Sequence, residues 1–203
     1  MAEKGLLEKY REKRDFDISS EPFGSENSEE GEKKPIFVIQ KHDATNLHYD
    51  FRLLVSGVLK SWAVPKGPST DPDEKRLAIQ TEDHPLEYAD FEGVIPENQY
   101  GGGTVMVWDA GTYRTEKTDK EGKPISIEKQ LKNGRATFIL EGKKLKGAYS
   151  LIRIKKGKTE NWLLKKVADD DADARRNPTS TENSSVLTGR RMEEIRKDAE
   201  KNG

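Results

Sequence analysis

At 203 residues the chain can form one domain of ordinary size, or a domain with tails. It is 36% charged and only 32% hydrophobic, well above the roughly 25% charged of an average globular domain, so part of it is expected to be solvated tail. A formal net charge of −1 excludes the strongly basic total of many nucleic-acid binders and leaves only a local basic groove. With no cysteine, disulfides and thiolate sites are excluded, and any metal must be held by His, Asp or Glu.

Residues 1–34 open with a short candidate helix, GLLEKYREKRDF, then pass into SSEPFGSENSEEGEKK, a polar stretch expected to form a flexible loop. The N-terminal residues lack the apolar core of a secretory signal, and no apolar run reaches the ~18 residues of a membrane span, so a soluble, cytoplasmic protein is expected. From Pro35 the pattern changes. IFVIQKH, LHYDFRLLV, GVLKSWAVP, KRLAIQTE, GTVMVWD, ATFILEG, AYSLIRIKK and NWLLKKV are short runs rich in β-branched and aromatic residues, bounded by Gly, Pro, Asp or Asn. Their spacing predicts an all-β domain over residues 35–168, an antiparallel β-barrel or highly bent sheet of about eight strands. EKQLKN, 128–133, predicts a helical turn or two. The polar ADDDADARRNPTSTENSS has the composition of a linker, and VLTGRRMEEIRKDAEKNG predicts a helix with an apolar stripe too thin to fold alone. Residues 169–203 therefore read as a polar linker and C-terminal tail.

All three histidines, His42, His48 and His84, lie between residues 42 and 84. Reading LHYDFRL as a strand puts Leu47, Tyr49, Phe51 and Leu53 on one face and His48, Asp50 and Arg52 on the other. His48 and Asp50 then have a spacing at which two side chains can converge on one ion, and the DATN turn could return His42 as a third ligand. Two histidines and an aspartate suit Mn²⁺, Zn²⁺ or Fe²⁺ and leave coordination positions for substrate. Arg52, next along that face, would point a forked donor at a phosphate. The H-x-D spacing alone leaves open a polar surface strand without a metal.

Other segments have plainer readings. YGGGTV, 100–105, lacks the ending of a phosphate loop and predicts a turn or bulge. Trp62, Trp108 and Trp162 sit inside apolar runs and are expected in the core. The lysine-rich EGKKLKG and RIKKGK could track a nucleic-acid backbone or protect sheet edges. DDDAD lacks the spaced ligands of a calcium loop.

In their order, KHDATNLHYDFRL, SWAVPKGPS, RLAIQTEDHPLEYADFEGVIP, YGGGTVMVWDAGTY, LKGAYSLIRI and NWLLKK resemble the phosphoesterase domain of bacterial DNA ligase D, also found as a stand-alone protein. The resemblance covers roughly residues 8–168, and SSVLTGRRMEEI resembles the linker to the ligase domain in fused enzymes. It implies a Mn²⁺-dependent enzyme on a compact barrel, with Zn²⁺ or Co²⁺ as other metals. Such an enzyme removes a 3′-terminal ribonucleotide with help from a neighbouring 2′-OH, and then the remaining 3′-phosphate. It implies His42, His48 and Asp50 as metal ligands, with Arg52, His84 and Tyr88 gripping the scissile phosphate. Lys66 and Arg76 match further functional positions, and Arg14, Asp15 and Glu21 match residues of the diesterase step. His84, if protonated, could donate to the leaving group, giving a pH optimum near or below neutrality. The implied partners are DNA or RNA–DNA primer–template 3′ ends, and a DNA ligase, polymerase or Ku-type end-binding protein, with the chain itself a monomer. Two other classes stay open: a nucleic-acid-binding module with a decayed site, and a cupin-like metal enzyme acting on small molecules. A cluster of Arg52, Lys66 and Arg76 would favour phosphate over the latter.

Overall fold

The computed structural model describes residues 5–25 and 34–202. Much of the loop expected before Pro35 lies outside them. Eight antiparallel strands form a closed barrel: β1 (Ile36–Asp43), β2 (Leu47–Val55), β3 (Val58–Val64), β4 (Lys75–Gln80), β6 (Gly103–Arg114), β7 (Arg135–Gly142), β8 (Lys146–Lys155) and β9 (Asn161–Lys166). The neighbours run β1-β2-β3-β4-β9-β8-β7-β6, and β1 pairs with β6 to close the ring. The short β5 (Gly93–Ile95) pairs with the start of β6 outside it. All eight apolar runs became barrel strands, and the expected helical turns appear as α1 (Glu8–Glu12) and α2 (Ile127–Lys132). Of the described strands, only β5, three residues long, gave no sequence signal.

Strand alternation explains why one sector of wall is apolar on both sides. Phe37 and Ile39 point inward with Tyr49, Phe51, Trp62, Trp108, Phe138 and Trp162, filling the barrel. Val38, between them in sequence, faces outward and packs with Leu59, Val105 and Val107 beneath Tyr10 of α1 and Tyr88 and Phe91 at a 3-10 turn, Leu86–Asp90. The N-terminal segment thus covers the outer face of β1, β2 and β3. It encloses a polar site there instead of leaving it on an open strand.

Residues 169–202 run back along the barrel through α3 (Pro178–Thr181) and α4 (Met192–Asn202), with α4 packed against β5 and β6. Composition gives this stretch the look of a linker because barrel side chains bond to its backbone, which sequence does not display. Thr70 donates to the carbonyls of Asp173 and Arg176, Tyr49 to that of Thr179, and Trp108 Nε1 to that of Glu182. Lys144, from one lysine-rich turn, donates to the carbonyls of Glu182 and Ser184, and burial pushes its pKa down to about 8. Met192 and Ile195, the thin stripe of α4, are buried against the barrel core.

Candidate active site

The antiparallel register of β1 and β2 places His42 opposite His48, Gln40 opposite Asp50 and Val38 opposite Arg52. The turn at residues 44–46 therefore brings His42 back beside His48 and Asp50, as the spacing suggested. One ligand atom from each of the three lies within 4.8 Å of the others. Asp50 Oδ2 is 3.4 Å from His42 Nδ1, and Oδ1 is 3.6 Å from His48 Nε2. The remaining ring nitrogens face backbone carbonyls, His42 Nε2 that of Gly101 and His48 Nδ1 that of Asn46, both at 2.8 Å. A proton on each of those nitrogens leaves His42 Nδ1 and His48 Nε2 as lone-pair donors facing the carboxylate, the orientation that a carbonyl bonded to the far ring nitrogen imposes on a metal-binding histidine. The three residues fit one divalent cation. Burial would push the Asp50 carboxyl up, but Arg52, then His42 and His48, hold it well below the usual carboxylate range.

The YGGGTV segment forms a turn, and its glycines have a geometric reason. Gly101 adopts φ +75° while delivering the carbonyl that His42 meets. A Cβ on Gly103 would sit 2.2 Å from the Asp43 carbonyl oxygen, so no side chain fits where β6 meets β1.

Arg52 is buried and held at every nitrogen. Its Nε donates to Gln40 Oε1 at 2.8 Å, one terminal nitrogen to Ser61 Oγ at 2.8 Å and the other to Asp50 Oδ2 at 3.3 Å. Gln40 in turn donates to the carbonyls of Tyr88 and Phe91, tying the 3-10 turn to the strand. His84 reaches this group because it bridges to Leu59 beside β3. Its Nδ1 is 2.9 Å from the Glu82 carbonyl and 3.0 Å from an Arg52 nitrogen, and its Nε2 is 3.2 Å from Arg14. The carbonyl can only accept, while Arg52 and Arg14 can only donate; a proton on Nδ1 would serve the carbonyl and leave Nε2 to accept from Arg14. Burial, then Arg52 and Arg14, push the His84 pKa well below its usual value. Those surroundings disfavour the protonated His84 considered from sequence.

Beneath these groups Glu21 has a wholly buried carboxylate that accepts from Arg14 Nε, the Ser19 hydroxyl and the Tyr88 hydroxyl, each at 2.9 Å. Burial, then Glu21, raises the Tyr88 pKa well above its ordinary value, and the Tyr88 ring lies 4.9 Å beneath the Arg52 guanidinium. A cavity of about 320 Å³ joins the metal trio to Arg14, Arg52, His84, Tyr88, Glu82 and Tyr100. Thr81 also lines it, with a buried hydroxyl that has no hydrogen-bond partner among the described residues.

The structure does not bring every sequence candidate to this cavity. Asp15 is exposed, accepting from the backbone N–H of Asp17 in a local turn. Lys66 is exposed after β3, and Arg76 on β4 pairs with Glu74; neither lines the cavity, so the expected cluster with Arg52 does not form. Gln40, Ser61, Glu82 and Tyr100 escaped the sequence reading. Gln40 had a usable signal: it shares His42's face of β1 and lies opposite Asp50 once the hairpin register is drawn.

A closed barrel carries on its outer wall three side chains that could hold one metal ion, faced by buried arginine and histidine, an arrangement suited to a phosphoester. The chain belongs to the DNA Ligase D 3′-phosphoesterase domain family, whose model matches residues 40–153. It is 48% identical over 167 residues, 82% of its length, to the multifunctional non-homologous end joining protein LigD of Pseudomonas aeruginosa. It is 43% identical over 157 residues, 77% of its length, to the multifunctional non-homologous end joining DNA repair protein LigD of Mycobacterium tuberculosis. The matched part is 19% of each of those proteins, so the chain spans about a fifth of the length of these relatives.

Proposed function

We propose that this chain heals 3′ ends of DNA and RNA–DNA strands in double-strand-break repair. It removes a 3′-terminal ribonucleotide by phosphodiester cleavage with help from the adjacent 2′-OH, then removes the remaining 3′-phosphate to leave a 3′-OH. The observation that carries this reading is the meeting, in one cavity, of His42, His48 and Asp50 with Arg52, His84 and Arg14. Family membership supports the phosphoesterase class, and the end-joining relatives support a DNA-end substrate. The reading extends to a monomer acting in the cytoplasm beside a ligase, a polymerase and a Ku-type end-binding protein. Among the described residues no helix is long and apolar enough to cross a membrane.

His42, His48 and Asp50 would hold the metal, which we assign as Mn²⁺ and which would act as a Lewis acid on a phosphoryl oxygen. The chain's own residues position the ester and stabilise its charge. Phosphoryl transfer asks chiefly for this. Arg52, fixed by Gln40 and Ser61, offers its guanidinium edge to an equatorial oxygen with no reorganisation. Arg14 supplies a second cation, steered by Glu21 and Glu82. His84 enters neutral. A phosphate dianion between it and the two arginines would offset the repulsion that lowers its pKa, so proton uptake by His84 accompanies substrate binding.

The test is phosphate release from a primer–template ending in a 3′-phosphate, with Mn²⁺ or EDTA, by wild type and His48→Ala. Release that needs Mn²⁺ and is lost in the folded variant supports the reading. A folded, Mn²⁺-loaded wild type that releases nothing overturns it.

A further inference from the structure

Tyr100 stands at the rim of the cavity with 48% of its surface exposed. It is anchored from both sides. The next residue, Gly101, gives its carbonyl to His42 Nε2, which ties this part of the chain to the metal trio. Lys13 donates to the phenol oxygen at 3.2 Å, with its Nζ 4.5 Å from the ring centroid, and the Arg14 guanidinium lies 5.6 Å from that centroid. Lys13 and Arg14 are themselves held by Glu82, at 2.9 and 3.1 Å. A large aromatic ring is thus fixed in place while about half of it remains open to solvent.

The other groups described in the cavity handle charge. Tyr88, the other tyrosine lining it, is buried, capped by Arg52 and tied through its hydroxyl to Glu21. A phosphate in this pocket satisfies Arg52 and Arg14 whatever it is attached to, so those residues cannot tell a nucleotide end from a simple phosphate ester. A nucleobase offers a flat π-face, and an open aromatic ring beside a phosphate-gripping site is what binds one without regard to sequence.

We propose that Tyr100 is the stacking platform for the base of the nucleotide that bears the 3′-phosphate, and so a specificity-determining residue that makes the pocket prefer nucleotide ends. The inference rests on reading the pocket as a 3′-end site. Lys13 keeps the ring at the rim, and the base stacks on its open part while the phosphate lies inward. Tyr100→Phe would keep the platform and lose only the Lys13 hydrogen bond; Tyr100→Ala would lose both.

The test is a binding cycle read by fluorescence anisotropy in EDTA, where turnover does not intervene. Wild type, Tyr100→Phe and Tyr100→Ala are titrated with a primer–template ending in a 3′-phosphate. The base of its last nucleotide is either present or replaced by a tetrahydrofuran abasic analogue. Wild type and Tyr100→Phe should bind the base-bearing end about tenfold more tightly, the effect of one stacked base, and Tyr100→Ala should bind the two ends alike. Phosphate release with Mn²⁺ should show the same loss for Tyr100→Ala, mainly in KM. The proposal is overturned if wild type does not discriminate or binds neither end, if Tyr100→Ala keeps the preference, or if Tyr100→Phe loses it as fully as alanine. Binding that follows the prediction in a wild type without phosphatase activity would leave the platform standing and remove the catalytic reading. Mn²⁺-dependent release with no binding preference would do the reverse.

Discussion

Replacing Glu21 by alanine removes the buried anion under the cavity. The carboxylate is 0% exposed, and its Arg14 partner is 5% exposed. After the substitution Arg14 keeps Glu82 Oε1 at 3.1 Å and the Tyr10 carbonyl at 3.0 Å, but its Nε faces a void, and the Tyr88 and Ser19 hydroxyls each lose an acceptor. Removing one partner of a buried pair costs about 3–5 kcal/mol. Glu82 remains on the guanidinium, so the expected loss is near the lower end, about 3 kcal/mol. Urea unfolding followed by tryptophan fluorescence reads it, since Trp62, Trp108 and Trp162 are all buried. Most of the cost comes from the stranded charge, so Glu21→Ala should cost markedly less in an Arg14→Ala background, with a coupling of about 1.5 kcal/mol or more. Glu21→Gln, which keeps the shape, should fall between. A Glu21→Ala variant within ~1 kcal/mol of wild type, or a coupling below ~0.5 kcal/mol, would refute the reasoning.

His84 gives a pH prediction with a definite sign. Its folded pKa lies well below its unfolded value near 6.5, so the unfolded chain takes up the proton first and stability falls as pH drops below about 6.5. Thermal melts of wild type and His84→Gln from pH 7.5 to 5.5 should show a smaller decline in the variant; parallel curves would contradict the neutral imidazole. Gly103→Ala forces a methyl into the Asp43 carbonyl at a φ of +142°, and should cost more than ~2 kcal/mol in the same urea assay. Near-wild-type stability would show that β6 need not approach β1 so closely. Ile195→Ala separates a docked α4 from a free tail. Ile195 is 2% exposed, so truncation should cost ~2–5 kcal/mol if the helix is packed, whereas a change within ~0.5 kcal/mol would mark it as detached.

The eight barrel strands were legible because each carries its own apolar run and turn residues. The trio of His42, His48 and Asp50 was legible because a hairpin makes sequence neighbours into spatial neighbours. What sequence could not display was the second covering. LHYDFRL alternates as if His48, Asp50 and Arg52 faced solvent, yet Asp50 and Arg52 are buried because α1 and the 3-10 turn close over them. Arg14, Glu21 and Glu82 meet at sequence separations of up to 68 residues, so local pattern carries no sign of their network. Lys66 and Arg76 illustrate the converse: the family resemblance suggested a role for both, but β3 and β4 pair over only two residues, and both side chains stay away from the cavity. Residues 169–202 read as linker because their anchoring runs through backbone carbonyls, which carry no side-chain signature.

The most direct measurement is a gel time course on a 5′-labelled primer–template with one 3′-terminal ribonucleotide, with Mn²⁺ or EDTA, using wild type, His48→Ala and Arg52→Ala. The account predicts Mn²⁺-dependent conversion first to a 3′-phosphate end and then to a 3′-OH end by wild type, and neither product from the two folded variants. Conversion that persists in EDTA, or in His48→Ala, would contradict the assignment of this site.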